Sequence, residues 1–177
     1  SGKTVLTGNL GDVMKESAEA AITFVRANAQ KYGIDTEFYK NRDIHIHATE
    51  SAVPKDGPSA GVTITTALVS ALTNRPVRRD IALTGEVSIR GRVLAIGGLK
   101  EKAMAAERGG VKRVFIPHDN IPDIDEVDQK VRENLEFIPV KYVTEIIDCA
   151  LLPLEAEVSQ QDSYIAAQNT KSTALRT

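Results

Sequence analysis

With 177 residues, 42% hydrophobic and 26% charged, the chain is long enough and apolar enough to bury a core, which excludes a miniprotein held together only by disulfides or a structural metal. No apolar run reaches the roughly 20 residues of a membrane span, and a formal net charge of -2 supplies no basic field, which disfavours nucleic acid as a main partner. The single cysteine, Cys149, cannot close an internal disulfide, so a reducing, cytoplasmic setting is expected.

The chain opens Ser1-Gly2-Lys3-Thr4, with no initiator Met and no charged-then-apolar leader, which predicts a piece of a longer polypeptide. Residues 3–6 read as a short strand. Met14, Ala18, Ala21, Ile22, Val25, Ala29 and Tyr32 then step by three and four, the period of an amphipathic helix, closed at Gly33. Residues 43–48 alternate over strand length and run into a turn-rich stretch containing Pro54 and Asp56-Gly57-Pro58. Small and apolar residues over 59–74 predict a mostly buried helix with Ser59 at its N-terminus. Segments 80–84 and 92–96 read as strands bracketing a polar turn at 88–91, hence a hairpin. Strong helix formers fill 99–108 and stop at Gly109-Gly110. A buried strand over 111–117, a helix over 123–134, a strand over 137–143 and a helix over 144–152 complete the alternation. Beyond Pro153 the sequence turns to Gln, Ser, Thr and Ala, so residues 1–153 are expected to form one domain and 154–177 a disordered tail.

Gly57-Pro58-Ser59-Ala60-Gly61 sets a hydroxyl between glycines at a loop-to-helix junction, where small neighbours let a substrate carbonyl approach the backbone. Free N–H groups and the positive end of the dipole at a helix start would receive an oxyanion formed beside Ser59. Most serines at such positions are simply N-caps, so the pentapeptide alone leaves both readings open. A serine nucleophile needs a base, and none of His45, His47 and His118 has an obvious partner in sequence. A lysine can serve where burial or nearby positive potential lowers its pKa from about 10.4. Lys102, in the first turns of the helix after Gly97-Gly98 and flanked by Leu99 and Ala103, is the candidate, with Lys100 its rival.

Pro54-Lys55-Asp56-Gly57-Pro58-Ser59-Ala60-Gly61, then Thr84-Gly85-Glu86, then Gly97-Gly98-Leu99-Lys100-Glu101-Lys102, in that order, closely resemble the proteolytic domain of Lon proteases. The resemblance implies a serine endopeptidase of α+β fold, a mixed sheet with flanking helices. It makes Ser59 the nucleophile and Lys102 the general base of a Ser-Lys dyad. It also makes Thr84 a partner that orients the lysine amine, and Asp56 and Glu86 acidic neighbours of the site. By the same likeness Gly57, Pro58 and Ala60 form the oxyanion and loop region, and His45 and His47 stand near the dyad without a catalytic role. It further implies unfolded polypeptides as substrates and assembly into hexameric rings. An upstream ATPase module would use ATP and Mg, while this chain itself would need no cofactor.

Other signals carry less. His45-x-His47 puts two rings on one face of a strand, but no third metal ligand presents itself. Ser1-Gly2-Lys3-Thr4 copies the end of a phosphate-binding loop without its first glycine and spacer. The acidic stretch 119–128 reads as a solvated face. Three rival classes stay in view: a phosphate binder built on Gly57 to Gly61, a hydrolase of G-x-S-x-G type using His118 as base, and a noncatalytic assembly module.

Overall fold

The computed structural model describes residues 1–154, and the expected tail lies almost wholly outside them. Strand β1 (Thr4–Thr7) leads into helix α1 (Asp12–Ala27), then a short helix α2 (Phe38–Asn41), and the chain returns as β2 (Ile44–His47). β2 lies parallel to β1, Thr4 opposite Ile44, so this first quarter is a β-helix-β unit, the connection that parallel strands require. Helix α3 (Gly61–Thr73) follows a 3-10 turn at Pro58–Ala60. Then come β3 (Ile81–Leu83), β4 (Glu86–Val87), β5 (Val93–Leu94), α4 (Leu99–Arg108) and β6 (Arg113–Pro117). Helix α5 (Gln129–Asn134), strand β7 (Glu136–Val140) and helix α6 (Val143–Ala150) close the described chain. The α+β class is as expected, with the strands shared among two parallel sheets, β1-β2 and β3-β6-β7, and one antiparallel pair, β4-β5.

β6 explains the layout. Val114 and Ile116 point to one side of it and Phe115 to the other, and all three are buried, as expected for a central parallel strand covered on both faces. Phe115 joins the larger core, where Phe24 and Val25 of α1, Val62 and Val69 of α3, and Ile146 and Ile147 of α6 meet. Val114 and Ile116 join a second core with Leu99 and Ala103 of α4, Val127, Val131 and Leu135. The β-branched residues of α3 are tolerated because the helix is buried and its threonines bond within it. Thr65 Oγ1 donates to the Gly61 carbonyl and Thr66 Oγ1 to that of Val62, both at 2.8 Å.

Several boundaries differ from the sequence reading. The expected helix through Tyr32 stops at Ala27, because Asn28 turns its side-chain amide onto the Phe24 carbonyl at 2.9 Å. Ala29 and Tyr32 keep the helical spacing only because a 3-10 turn, Gln30–Tyr32, carries them on the same face. The hairpin is made by β4 and β5, not by the 80–84 strand. β3 pairs with β6 instead, and Gly85 turns away, its N–H donating to the Ser59 carbonyl at 2.9 Å. The helix expected over 123–134 is a 3-10 turn, Pro122–Glu126, followed after an extended Val127 by α5.

Candidate active site

Ser59 sits in the 3-10 turn and not on the first turn of α3, which corrects the expected placement. Two N–H groups that follow it are already bonded, Gly61 to the Pro58 carbonyl and Val62 to the Gly85 carbonyl at 3.1 Å. Gly57, entering the turn at φ 154°, has a backbone conformation that side-chain-bearing residues rarely adopt, so the glycine before the proline is required by geometry. The turn is held from both sides. Gly85 grips it through the Ser59 carbonyl, and on the opposite side Ser17 of α1, buried, donates its hydroxyl to the Pro58 carbonyl at 3.1 Å.

Ser59, Ala60, Thr84 and Lys102 share the wall of one cavity of about 370 Å³, completed by the apolar Ala82, Leu83, Ala105 and Val114. Three different elements therefore bring the serine, the threonine and the lysine together: the turn before α3, the end of β3 and the first turns of α4. The Thr84 backbone is fixed by its N–H bond to the Phe115 carbonyl at 3.1 Å. Its hydroxyl is buried and has no hydrogen-bond partner. Lys102 is half-buried, and its Nζ donates to the Gly97 carbonyl at 2.9 Å, folded back over the start of its own helix. Gly98, between that carbonyl and the helix, is called for by conformation and not by space. A Cβ there would stand 3.5 Å from Lys102 Nζ, and its φ of 71° is left-handed. Lys100, one turn-face away, pairs with Asp128 at 3.3 Å and does not line the cavity.

The remaining residues do not line this cavity. Asp56 points at α1, its Oδ1 accepting the Met14 N–H at 3.1 Å. Glu86 is half-buried on β4. His45 and His47 are exposed and line a neighbouring groove of about 370 Å³, which shares Thr63 with the first cavity. Thr7 Oγ1 bridges the two rings, 2.8 Å from His45 Nε2 and 2.8 Å from His47 Nδ1. Among the described residues no group of three or more potential ligands could hold a metal. His118 lines a separate depression with Arg92, Lys141 and Tyr142, away from Ser59. Residues 1–4 run into strand β1 and not into a helix, so they do not form a phosphate cradle and do not suit a nucleotide. The sequence reading passed over Asn120 and Ser17, whose part is a hydrogen bond made across the fold and leaves no local signal.

Comparison with known proteins gives the chain a family. The model of the Lon protease (S16) C-terminal proteolytic domain matches residues 1–153. The chain is 59% identical over 152 residues to the Lon protease of Finegoldia magna, covering 86% of this chain and 20% of that protein. It is 56% identical over 150 residues to the Lon protease of Haemophilus influenzae, covering 85% and 19%. It is 54% identical over 151 residues to Lon protease 1 of Myxococcus xanthus, covering 85% and 18%. The chain thus spans about a fifth of the length of these curated relatives. On the match across residues 1–153 and these identities, the chain belongs to the family of Lon protease C-terminal proteolytic domains.

Proposed function

We propose that this chain is the peptide-cleaving part of an ATP-dependent protease, an endopeptidase that hydrolyses unfolded polypeptides through a Ser59-Lys102 dyad. The observation that carries this reading is the single cavity walled by Ser59, Thr84 and Lys102, with Lys100 held outside by Asp128. In the first step the neutral Lys102 amine takes the Ser59 proton as Oγ attacks a peptide carbonyl. The amine then gives that proton to the leaving nitrogen, and water cleaves the acyl-enzyme by the same route. Backbone N–H groups near Ser59 hold the tetrahedral oxyanion.

Lys102 Nζ is docked on the Gly97 carbonyl, and Thr84 offers a buried hydroxyl without a partner. With that bond to Gly97 kept, Thr84 orients the amine toward Ser59. Asp56, on the loop that leads to Ser59, controls whether that turn is released. Among the described residues β3 pairs only with β6, and its other edge borders the cavity through Ala82 and Leu83, so an extended substrate can add there as a strand. In this reading ATP and Mg act on an upstream ATPase module that unfolds and threads substrates. Assembly into a hexameric ring orders the site.

The test is hydrolysis of an unstructured fluorogenic peptide over a range of protein concentrations, with Ser59→Ala and Lys102→Ala beside it. Cleavage that rises with concentration and disappears in both variants is the expected result. Retention of most activity by Lys102→Ala would sink the dyad. Silence at every concentration calls for the same assay with the ATPase module restored, where continued silence excludes the peptidase reading.

A further inference from the structure

Among the described residues, Asn120 is the buried polar side chain outside the cavity with the most hydrogen bonds. It ends the 3-10 turn after β6, is 2% exposed, and reaches across 24 residues to a single backbone unit. Its Oδ1 accepts the Ile96 N–H at 3.0 Å, while its Nδ2 donates to the Ile96 carbonyl at 2.8 Å and to Asp123 Oδ2 at 2.5 Å. The amide thus stands in for a neighbouring strand at a residue that lies beyond the end of β5. Asp123 fixes the sense of the amide, because only the NH₂ end can donate to a carboxylate.

The clamp matters because of its place in the chain. Only Gly97 and Gly98 separate Ile96 from α4, and glycines restrain the backbone least of all residues. The Gly97 carbonyl is the group on which Lys102 Nζ is docked. Helix α4 is anchored independently by Leu99, Ala103 and Ala106 in the second core, so it needs no help from Asn120 to stay in place. Asn120 fixes the Ile96–Gly97 peptide, and the Gly98 carbonyl accepts the Lys102 N–H at 3.2 Å, so the Gly97 carbonyl is spanned between two anchored units.

We propose that Asn120 is a positioning residue for Lys102: by clamping both backbone groups of Ile96 it holds the Gly97 carbonyl that docks the lysine amine. The catalytic part of the proposal rests on Lys102 being the base. The docking part does not.

Two readouts separate them, measured on the full-length protease in its ATP-activated form. Asn120→Asp keeps the acceptor for the Ile96 N–H but turns both donated bonds into repulsions. Its kcat is expected to fall by up to about 100-fold with little change in KM, the scale of a misplaced catalytic group. The acetylation rate at Lys102, followed by peptide mass spectrometry, is expected to rise several-fold while that at Lys100, held by Asp128, stays constant. Asp123→Asn, which leaves the Ile96 clamp in place, is the milder variant should Asn120→Asp fail to fold, and it should show both effects at reduced size. Val127→Ala, a cavity in the same core, should lower Tm without raising the Lys102 rate. An unchanged Lys102 rate in both folded variants, or an equal rise in Val127→Ala, overturns the proposal. A raised rate with wild-type kcat keeps the docking role and overturns the catalytic one. Activity that survives Lys102→Ala strikes the dyad itself and leaves the labelling result to judge the docking.

Discussion

The Asp56 carboxylate caps a helix to which it does not belong: its Oδ1 accepts the Met14 N–H at 3.1 Å, an otherwise orphaned donor in the first turn of α1. Gly11 at the cap position has no side chain to do this, and one added there would have to displace Asp56, since a Cβ would stand 2.2 Å from Asp56 Cγ. With φ at -71°, only Asp56 stands against a side chain at that position. The bond also secures the loop leading to Ser59. Asp56→Ala should destabilise the domain by about 1 kcal/mol, the usual worth of such a cap. Asp56→Asn, which keeps an acceptor oxygen, should lose less. Gly11→Ala should lower Tm and displace Asp56, and urea denaturation of the three variants checks the order. Equal stability of Asp56→Ala and wild type would show the cap to be idle.

Thr84 offers a cleaner separation of chemistry from stability. A buried hydroxyl without a partner carries a desolvation penalty of roughly 1–3 kcal/mol, so removing it should not harm the fold. Thr84→Val is therefore expected to leave Tm unchanged or raise it, while peptidase activity falls by about 10-fold or more as the lysine loses its orienting partner. Thr84→Ser, which keeps the hydroxyl, should retain more activity than Thr84→Val. Calorimetry and peptide hydrolysis on the same preparations decide it. Full activity in Thr84→Val would remove Thr84 from the site.

The two lysines of α4 make an internal control. Lys100 and Asp128 form a solvated ion pair, worth about 1 kcal/mol or less, and Lys100→Ala should be active and nearly as stable as wild type. Lys102→Arg keeps the length and most of the packing of the side chain, yet a guanidinium does not release its proton and cannot act as a base. It should be as inactive as Lys102→Ala. Turnover by Lys102→Arg would mean that the cation, and not a proton acceptor, is what the site uses.

What could be read in the sequence is what glycine and local spacing encode. Gly57 at its unusual φ, Gly98 before the lysine helix and Gly109 at the end of α4 are each punctuation that a single chain displays, and they flank Ser59 and Lys102. The strong periodicity of α1 and α4 likewise marks those helices, though Asn28 ends α1 by a side-chain bond that apolar spacing does not reveal. What was not legible depends on partners distant in sequence. Thr84-Gly85 reads as the end of a hairpin strand because nothing local says that β3 will pair with β6 or that Gly85 will grip Ser59. Asn120 lies in an acidic stretch that reads as a solvated face, and only the fold turns its amide inward to Ile96. Ser17, on a helix face, gives no hint of the Pro58 carbonyl it holds.

Tyr32 supplies a pH dependence whose sign is set by burial. Its hydroxyl is buried with no hydrogen-bond partner, and that burial, reinforced by the Asp148 carboxylate, pushes the phenol up to about 12 from its ordinary 10. The folded state therefore holds the proton more tightly than the unfolded chain. Stability tied to Tyr32 is complete below pH 10, is eroded as the unfolded phenol ionises first between pH 10 and 12, and is lost once pH passes the folded value. Tyr32→Phe removes the titrating group and an unsatisfied hydroxyl together, so it should be no less stable than wild type at neutral pH. The difference between the two proteins should widen in favour of Phe between pH 10 and 12. Urea midpoints measured from neutral pH up to about 12 test this, since the lysines and the other tyrosines titrate alike in both proteins and cancel in the difference. Parallel curves would mean that Tyr32 ionises as easily in the fold as outside it, and hence that its hydroxyl reaches water.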